Sequence, residues 1–120
     1  MKALPQDVTV DRPTSRVAVV SFMGEHDLAT RDETRDLLAR LVNEERLVVA
    51  DFSKAEFVDS SILAVLRSSA RAARERGTTF RVQLGTASIV EKSFQVSGVL
   101  AELECVSTRE KALRPAGPNS

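Results

Sequence analysis

The stretch LVVADFSKAEFVDSSILAVL, residues 47–66, decides how this chain is read. Leu47–Phe52 is a nearly continuous apolar run, the pattern of a strand covered on both faces. The run breaks at Ser53. Asp59-Ser60-Ser61 then opens a second apolar segment with helical character. That helix is expected from about Ser60 to Arg76, with Gly77 as its C-terminal cap. A buried strand feeding an amphipathic helix within a few residues is the repeating unit of an α/β domain.

The same alternation continues on both sides. Downstream, TFRVQL (Thr79–Leu84) reads as a strand and SIVEKSFQVSG as a helix. Ser88 and Glu91 are its expected cap residues, Gly98 its stop, and Val90 and Phe94 face inward. Leu103–Val106 is a short strand. Ser107–Leu113 is a last helix with Ser107 and Glu110 as a cap pair. Upstream, Val8–Asp11 and Arg16–Phe22 alternate like strands, and DRPTS between them reads as a hairpin turn. TRDETRDLLARLVNEE is a helix with a capping box at Thr30 and Glu33. Its residues Thr34, Leu37, Leu38, Leu41 and Val42 lie on one face. The expected architecture is a single α/β domain over residues 1–114. An N-terminal antiparallel hairpin leads into a mixed, mostly parallel central sheet flanked by about four helices. Residues 115–120, PAGPNS, read as a disordered tail.

Composition narrows the function. The chain has 120 residues, enough for one domain. Its 17 basic and 17 acidic residues cancel, which argues against direct nucleic-acid binding, because such binders carry a basic excess. Five Phe with no Trp or Tyr leave little for stacking on bases or sugars. A lone cysteine, Cys105, rules out an internal disulfide framework, and its apolar strand marks it as a small buried hydrophobe. No apolar run is long enough to insert in a membrane, and MKALPQDVTVDR is too polar for a signal peptide. The expectation is a cytoplasmic protein. The edge strand at Val8 leaves a monomer and a weak homodimer both open.

Catalytic chemistry finds little support. Ser60 and Ser61 sit between strand and helix, but the G-x-S-x-G pattern of a nucleophile elbow is absent. The one imidazole, His26, reads as a polar loop residue beside Asp27. Five glycines form neither a dinucleotide-binding fingerprint nor a phosphate loop, and one His with one Cys barely seeds a metal site. No cofactor, metal or enzymatic activity is expected. Arg67, Arg71 and Arg74 form a stripe on the second long helix. It is either a solvated outer face or a docking surface for an acidic partner.

Asp59-Ser60-Ser61 has two readings. It is a helix N-cap, or it is a modification site. A phosphoserine in the first turn brings about −1.5 to −2 charges to free backbone amides that favour an anion.

These pieces together resemble the STAS family, the anti-sigma factor antagonists of bacteria. MGEHDLAT (Met23–Thr30) resembles the family's Gly-Glu-x-Asp segment. VVADFSKAEFVDSS (Val48–Ser61) resembles its strand, loop and Asp-Ser-Ser. RGTTFRVQL resembles the Gly-led next strand, and VEKSFQVSGVLAEL the stretch that ends in Ser-Gly before the last strand. The resemblance spans about Asp7 to Leu113. It implies that Ser61 is the phosphoacceptor, with Ser60 the runner-up, and that Asp59 and Asp27 share its surface. It also implies partners: an anti-sigma factor with serine kinase activity, bound when Ser61 is unmodified and released on phosphorylation, and a serine phosphatase that restores binding. Sigma-factor availability then follows the switch. The family also contains scaffolds and small-ligand sensors in stress-signalling or transport assemblies, which is the alternative implied. One residue departs from the pattern: Ile62 stands where the family has Gly or another small residue. The departure has three readings: narrowed kinase access, an apolar contact for a particular partner, or a chain that has lost regulated phosphorylation and kept only docking.

Overall fold

The computed structural model describes residues 7–85, 90, 92, 94, 95, 98 and 101–115. Eight elements have full bounds. They are β1 (Val8–Asp11), β2 (Val17–His26), α1 (Arg31–Glu44), β3 (Leu47–Val58), α2 (Ser60–Arg76), β4 (Thr79–Gln83), β5 (Glu104–Val106) and α3 (Arg109–Ala112). Val90, Lys92, Phe94 and Gln95 are also helical. Val90 and Phe94 are fully buried, as expected. The expected caps of that helix, Ser88 and Glu91, lie outside the described residues, as does the tail beyond Pro115.

One sheet runs in the order β1-β2-β3-β4-β5. β1 pairs antiparallel with β2, and every later pair is parallel. The expected hairpin and mostly parallel sheet are both present. The turn between β1 and β2 holds Arg16 at φ 65°, a left-handed conformation unusual outside glycine. Its carbonyl accepts from the amides of Arg46 and Leu47, at 2.9 and 3.2 Å, and so fixes the start of β3.

Period-two alternation sends the strands' apolar side chains to both faces. Ala18, Val20 and Phe22 of β2, Val48, Ala50 and Phe52 of β3, and Phe80 and Val82 of β4 join the main core. α1 and α2 cover that face side by side. α1 contributes Thr34, Leu37, Leu38, Leu41 and Val42, the five residues its periodicity picks out. Phe22 and Phe52 stack at 4.5 Å beneath the helices. Val19, Leu47 and Val49 point to the opposite face, where Ala112 of α3 closes a smaller core.

β2 and β3 run past the apolar runs that announce them, to His26 and Val58. Two irregularities between Ser21 and Met23 and between Gly24 and Glu25 let pairing continue through Ser53 and Glu56. α2 ends as expected at Gly77, whose φ of 75° takes the left-handed cap; the amides of Gly77 and Thr78 reach the carbonyls of Arg74 and Ala73. The other two caps differ from expectation. Thr30 makes no side-chain cap bond to α1, because its hydroxyl is held by the backbone of Asp27. α3 is capped by Thr108, whose hydroxyl accepts from the Lys111 amide, so Ser107 stands outside the helix.

Arg81 ties the second face together. Its guanidinium is buried in β4, donates to Glu104 at 2.6 Å and reaches the carbonyls of Ala112 at 3.0 Å and of Arg114. It thereby satisfies the carbonyl end of a helix too short to stand alone. Arg81→Met leaves those carbonyls unpaired under α3 and is expected to cost about 2 kcal/mol, a loss of the order of 10 °C in Tm. Thermal denaturation followed by circular dichroism checks this; an unchanged Tm removes the clamp's role.

Candidate functional site

Asp59 is the residue that organises the junction of β3 and α2. It sits in extended backbone, φ −96° and ψ 179°, where an N-cap places its side chain over the first turn. One carboxylate oxygen, Oδ1, accepts from the Ser61 amide at 2.9 Å and the Ile62 amide at 3.2 Å. The same oxygen accepts the Ser61 hydroxyl at 2.5 Å. The other oxygen, Oδ2, accepts from the Leu28 amide at 3.2 Å. One side chain thus caps α2, orients the Ser61 hydroxyl and pins the loop between β2 and α1. Burial pushes the Asp59 carboxyl up, but the Ser61 hydroxyl and the Ile62, Ser61 and Leu28 amides together hold it below its ordinary 3.8.

The loop brings Asp27 to the same end of the sheet. Its Oδ1 accepts from the Ala29 amide at 2.9 Å, and its own amide donates to the Thr30 hydroxyl. Ser61 is partly exposed and Ser60 is exposed at the mouth of α2. Asp27, Asp59, Ser60 and Ser61 therefore flank one loop–helix junction.

Two expectations need correction. His26 is not a loop residue: it ends β2, pairs with Val58 and is 1% exposed. Its Nε2 bonds to the Met23 carbonyl at 2.9 Å and its ring meets the edge of Phe22, so the Ser61 hydroxyl looks to Asp59 and not to an imidazole. Its polarity in an acidic segment hid its place on the inward face of the extended strand. Ile62 is fully buried and belongs to the main core. It offers a partner no apolar surface and does not stand over Ser61, because the third position of α2 points beneath the sheet's helical cover.

The exposed apolar side chains lie elsewhere. Leu28 and Phe57 are the exposed large hydrophobics among the described residues, at 62% and 43%. Leu28 is tied to Asp59 through its amide, and Phe57 precedes Asp59 by two residues. Sequence reasoning passed over both. The signal was Phe57 next to inward Val58, which period two sends outward once β3 is seen to continue.

The family model for the STAS domain matches residues 9–112. The chain belongs to the STAS domain family. Solved structures of known proteins share the fold. Unphosphorylated SpoIIAA, an anti-sigma factor antagonist, superposes with a TM-score of 0.73 at 19% identity, over 88% of this chain and 92% of that one. Bacillus SpoIIAA in its phosphorylated form gives 0.66 at 20% identity, over 88% and 96%. An anti-sigma factor antagonist from Mycobacterium paratuberculosis gives 0.73 at 24% identity, over 88% and 89%. SLC26A9 gives 0.68 at 13% identity, covering 82% of this chain but 19% of its own. No protein of curated function matches in sequence.

Other candidates in this STAS domain resolve simply. Cys105 is half-buried on β5, and burial with Glu104 nearby pushes its thiol up to about 11, the mark of an unreactive side chain. Arg67, Arg71 and Arg74 are exposed on α2, and Arg67 is paired with Glu102 at 2.5 Å. Among the described residues no three His, Cys, Asp or Glu side chains converge as metal ligands, and no helix is long and apolar enough to cross a membrane.

Asp59→Ala removes the cap and the loop tether together. It is expected to lower stability by about 1–2 kcal/mol, measured by denaturant unfolding. The depressed carboxyl also fixes a sign. Its contribution is complete above pH 3.8 and is lost as pH falls through the lower folded value. Asp59→Ala should therefore flatten the acid limb of the stability curve, and a limb of unchanged steepness would reassign it to another group.

Proposed function

We propose that the chain is an anti-sigma factor antagonist that switches partners through phosphorylation of Ser61. The observation that supports this best is the Ser61 hydroxyl, partly exposed and held at 2.5 Å by the Asp59 carboxylate at the start of α2. In the unmodified state an anti-sigma factor with serine kinase activity docks over the junction. Leu28 and Phe57 supply its apolar anchors, and Asp27 and Ser60 its polar rim. Phosphorylation ends the complex, and a serine phosphatase restores it.

The geometry gives this reading a physical route. Two of the first-turn amides that would receive a phosphate are already taken by Asp59. A phosphate on Ser61 loses the hydroxyl proton that Asp59 accepts and places about −1.5 to −2 charges beside that carboxylate. At a near-surface separation of about 4 Å each unit of like charge costs about 4 kcal/mol. Asp59 also holds the Leu28 amide, so the repulsion reaches the loop that carries the Leu28 anchor. The modification therefore acts on the charge and on the shape of the docking face, while the buried core stays as it was.

A second reading keeps the docking face without the switch, as a STAS scaffold or small-ligand module. The match to 19% of the much longer SLC26A9 chain favours it. The two readings separate on the dependence of binding on Ser61.

Incubation with ATP and the host's anti-sigma kinase should phosphorylate Ser61, located by mass spectrometry. Ser61→Asp should weaken the complex at least about tenfold, while Ser61→Ala binds and resists release. Binding indifferent to Ser61→Asp, with no phosphate on Ser61, leaves the scaffold reading. Leu28→Ala and Phe57→Ala should each weaken the same complex about fivefold or more, with Tm within about 2 °C of the parent, because both side chains face solvent in the free protein. Calorimetric titration of each variant with the kinase tests the anchors, and undiminished affinity in both places the docking face elsewhere.

A further inference from the structure

The opposite end of the sheet carries a second feature that the switch does not use. A cavity of about 390 Å³ opens where β2, β3 and β4 begin. That volume lies in the range of small-molecule sites. Val17, Leu47, Leu113 and Pro115 give it an apolar wall, Thr14 and Thr79 supply hydroxyl-bearing residues, and Arg46 is its charged lining residue. No carboxylate is among its described lining residues.

Arg46 has company. Arg16 accepts the Arg46 amide through its backbone, Arg76 precedes the lining Gly77, and Arg114 lies between the lining Leu113 and Pro115. All four are exposed. Among the described residues none has a side-chain hydrogen bond or ion pair, whereas Arg12, Arg31, Arg35, Arg67, Arg81 and Arg109 each have at least one. Among the described residues the neighbouring acids form no ion pair with them. Glu45 is engaged by Arg12, and Glu44 and Glu75 are exposed on α1 and α2, outside the lining. Three of the arginines follow or end a helix, where a cation offsets the negative pole. That role accounts for charge at helix ends. It does not account for the apolar-walled cavity lined by Arg46, nor for Arg16, which is held in a left-handed conformation.

We propose that this cavity binds a small phosphate-bearing molecule with a short aliphatic body. Guanidinium groups bind phosphate oxygens in pairs, and a phosphomonoester has three such oxygens to distribute among them. The wall has no aromatic ring on which a nucleobase would stack, so the body is aliphatic. The phosphate belongs to a soluble monoester or to a lipid headgroup. The site is separated from Ser61 by the length of β3 and is independent of the proposed switch.

Calorimetric titration with hexyl phosphate, inorganic phosphate and hexanol tests the proposal. Hexyl phosphate should bind one to one and at least about tenfold more tightly than either fragment. Arg46→Met and Arg114→Ala should each weaken it about tenfold, while Arg71→Met, at an exposed position on α2 outside the cavity lining, leaves it unchanged. Two exposed variants guard against one that misfolds, and far-ultraviolet circular dichroism verifies both. Co-sedimentation with vesicles containing phosphatidic acid, whose phosphate is a monoester, but not with phosphatidylglycerol or phosphatidylcholine vesicles, lost in Arg46→Met, assigns the phosphate to lipid. Binding of hexyl phosphate without vesicle retention assigns it to a soluble ester. No hexyl phosphate binding, or equal loss in Arg71→Met, overturns the proposal.

Discussion

The Asp59 carboxylate is the contact on which this domain's functional end depends. A helix start leaves backbone amides without partners, and a loop end leaves others. Asp59 answers both with its two oxygens, one toward α2 and one toward Leu28. The charge it needs is sustained by the same bonds, which outweigh its partial burial. The arrangement has little slack. Oδ1 already accepts three donors, so any new anion at the first turn must compete with Asp59 instead of filling a vacant site. A helix N-terminus alone would welcome phosphate; a helix N-terminus with its cap carboxylate in place resists it. Under the proposed switch, that resistance would carry a phosphate on Ser61 to the loop at Leu28.

The rest of the fold holds this junction still. Parallel strands end together, so β2 and β3 deliver His26 and Val58 side by side, and the Asp59 amide donates to the His26 carbonyl at 3.2 Å. His26, Phe22, Phe52 and Phe94 make a packed aromatic column directly beneath. At the other end, Thr78 reaches the carbonyls of Val42 and Glu45, and Arg81 closes α3 against the sheet. Polar contacts thus sit at the ends of elements, where backbone groups would otherwise be unpaired, and apolar contacts fill the middle.

What could be read from the sequence follows the range of the physics involved. The buried face of α1 was legible residue by residue, because helical period is a local property. α2 was legible to its ends, since Asp59 and Gly77 act on their immediate neighbours. β3 was cut short at Phe52, because Ser53 and Lys54 broke the apolar run while pairing with β2 carried the strand on through irregular register. Ending β2 at Phe22 likewise placed His26 in a loop, and the shortened β3 left Phe57 unnoticed. The cap at Thr30 failed for a related reason: Asp27 competes for its hydroxyl, and a three-residue spacing says nothing about competitors. Exposed Leu28 reaches the start of α2 through its amide bond to Asp59, 31 residues away. The family resemblance singled out Ser61, Asp59 and Asp27, which the fold brings to one loop–helix junction, but not the exposed Leu28 and Phe57.

Ile62 brings these threads to one residue. Its amide bonds to Asp59 while its side chain is fully buried in the main core. A glycine in its place would bury nothing and would cost the helix about 1 kcal/mol in backbone freedom. The isoleucine instead anchors the first turn of α2 from below, with a β-branched side chain that has few rotamers to choose from. That fixes the Ser61 amide and hydroxyl against Asp59. The consequence for a phosphorylation switch is directional. With the helix end held from the core, charge placed on Ser61 finds its relief on the other side of Asp59, in the bond to Leu28, because that loop has no comparable buried anchor: Leu28 is the most exposed large hydrophobic described. A core residue that never meets a partner would then determine which side of the junction yields.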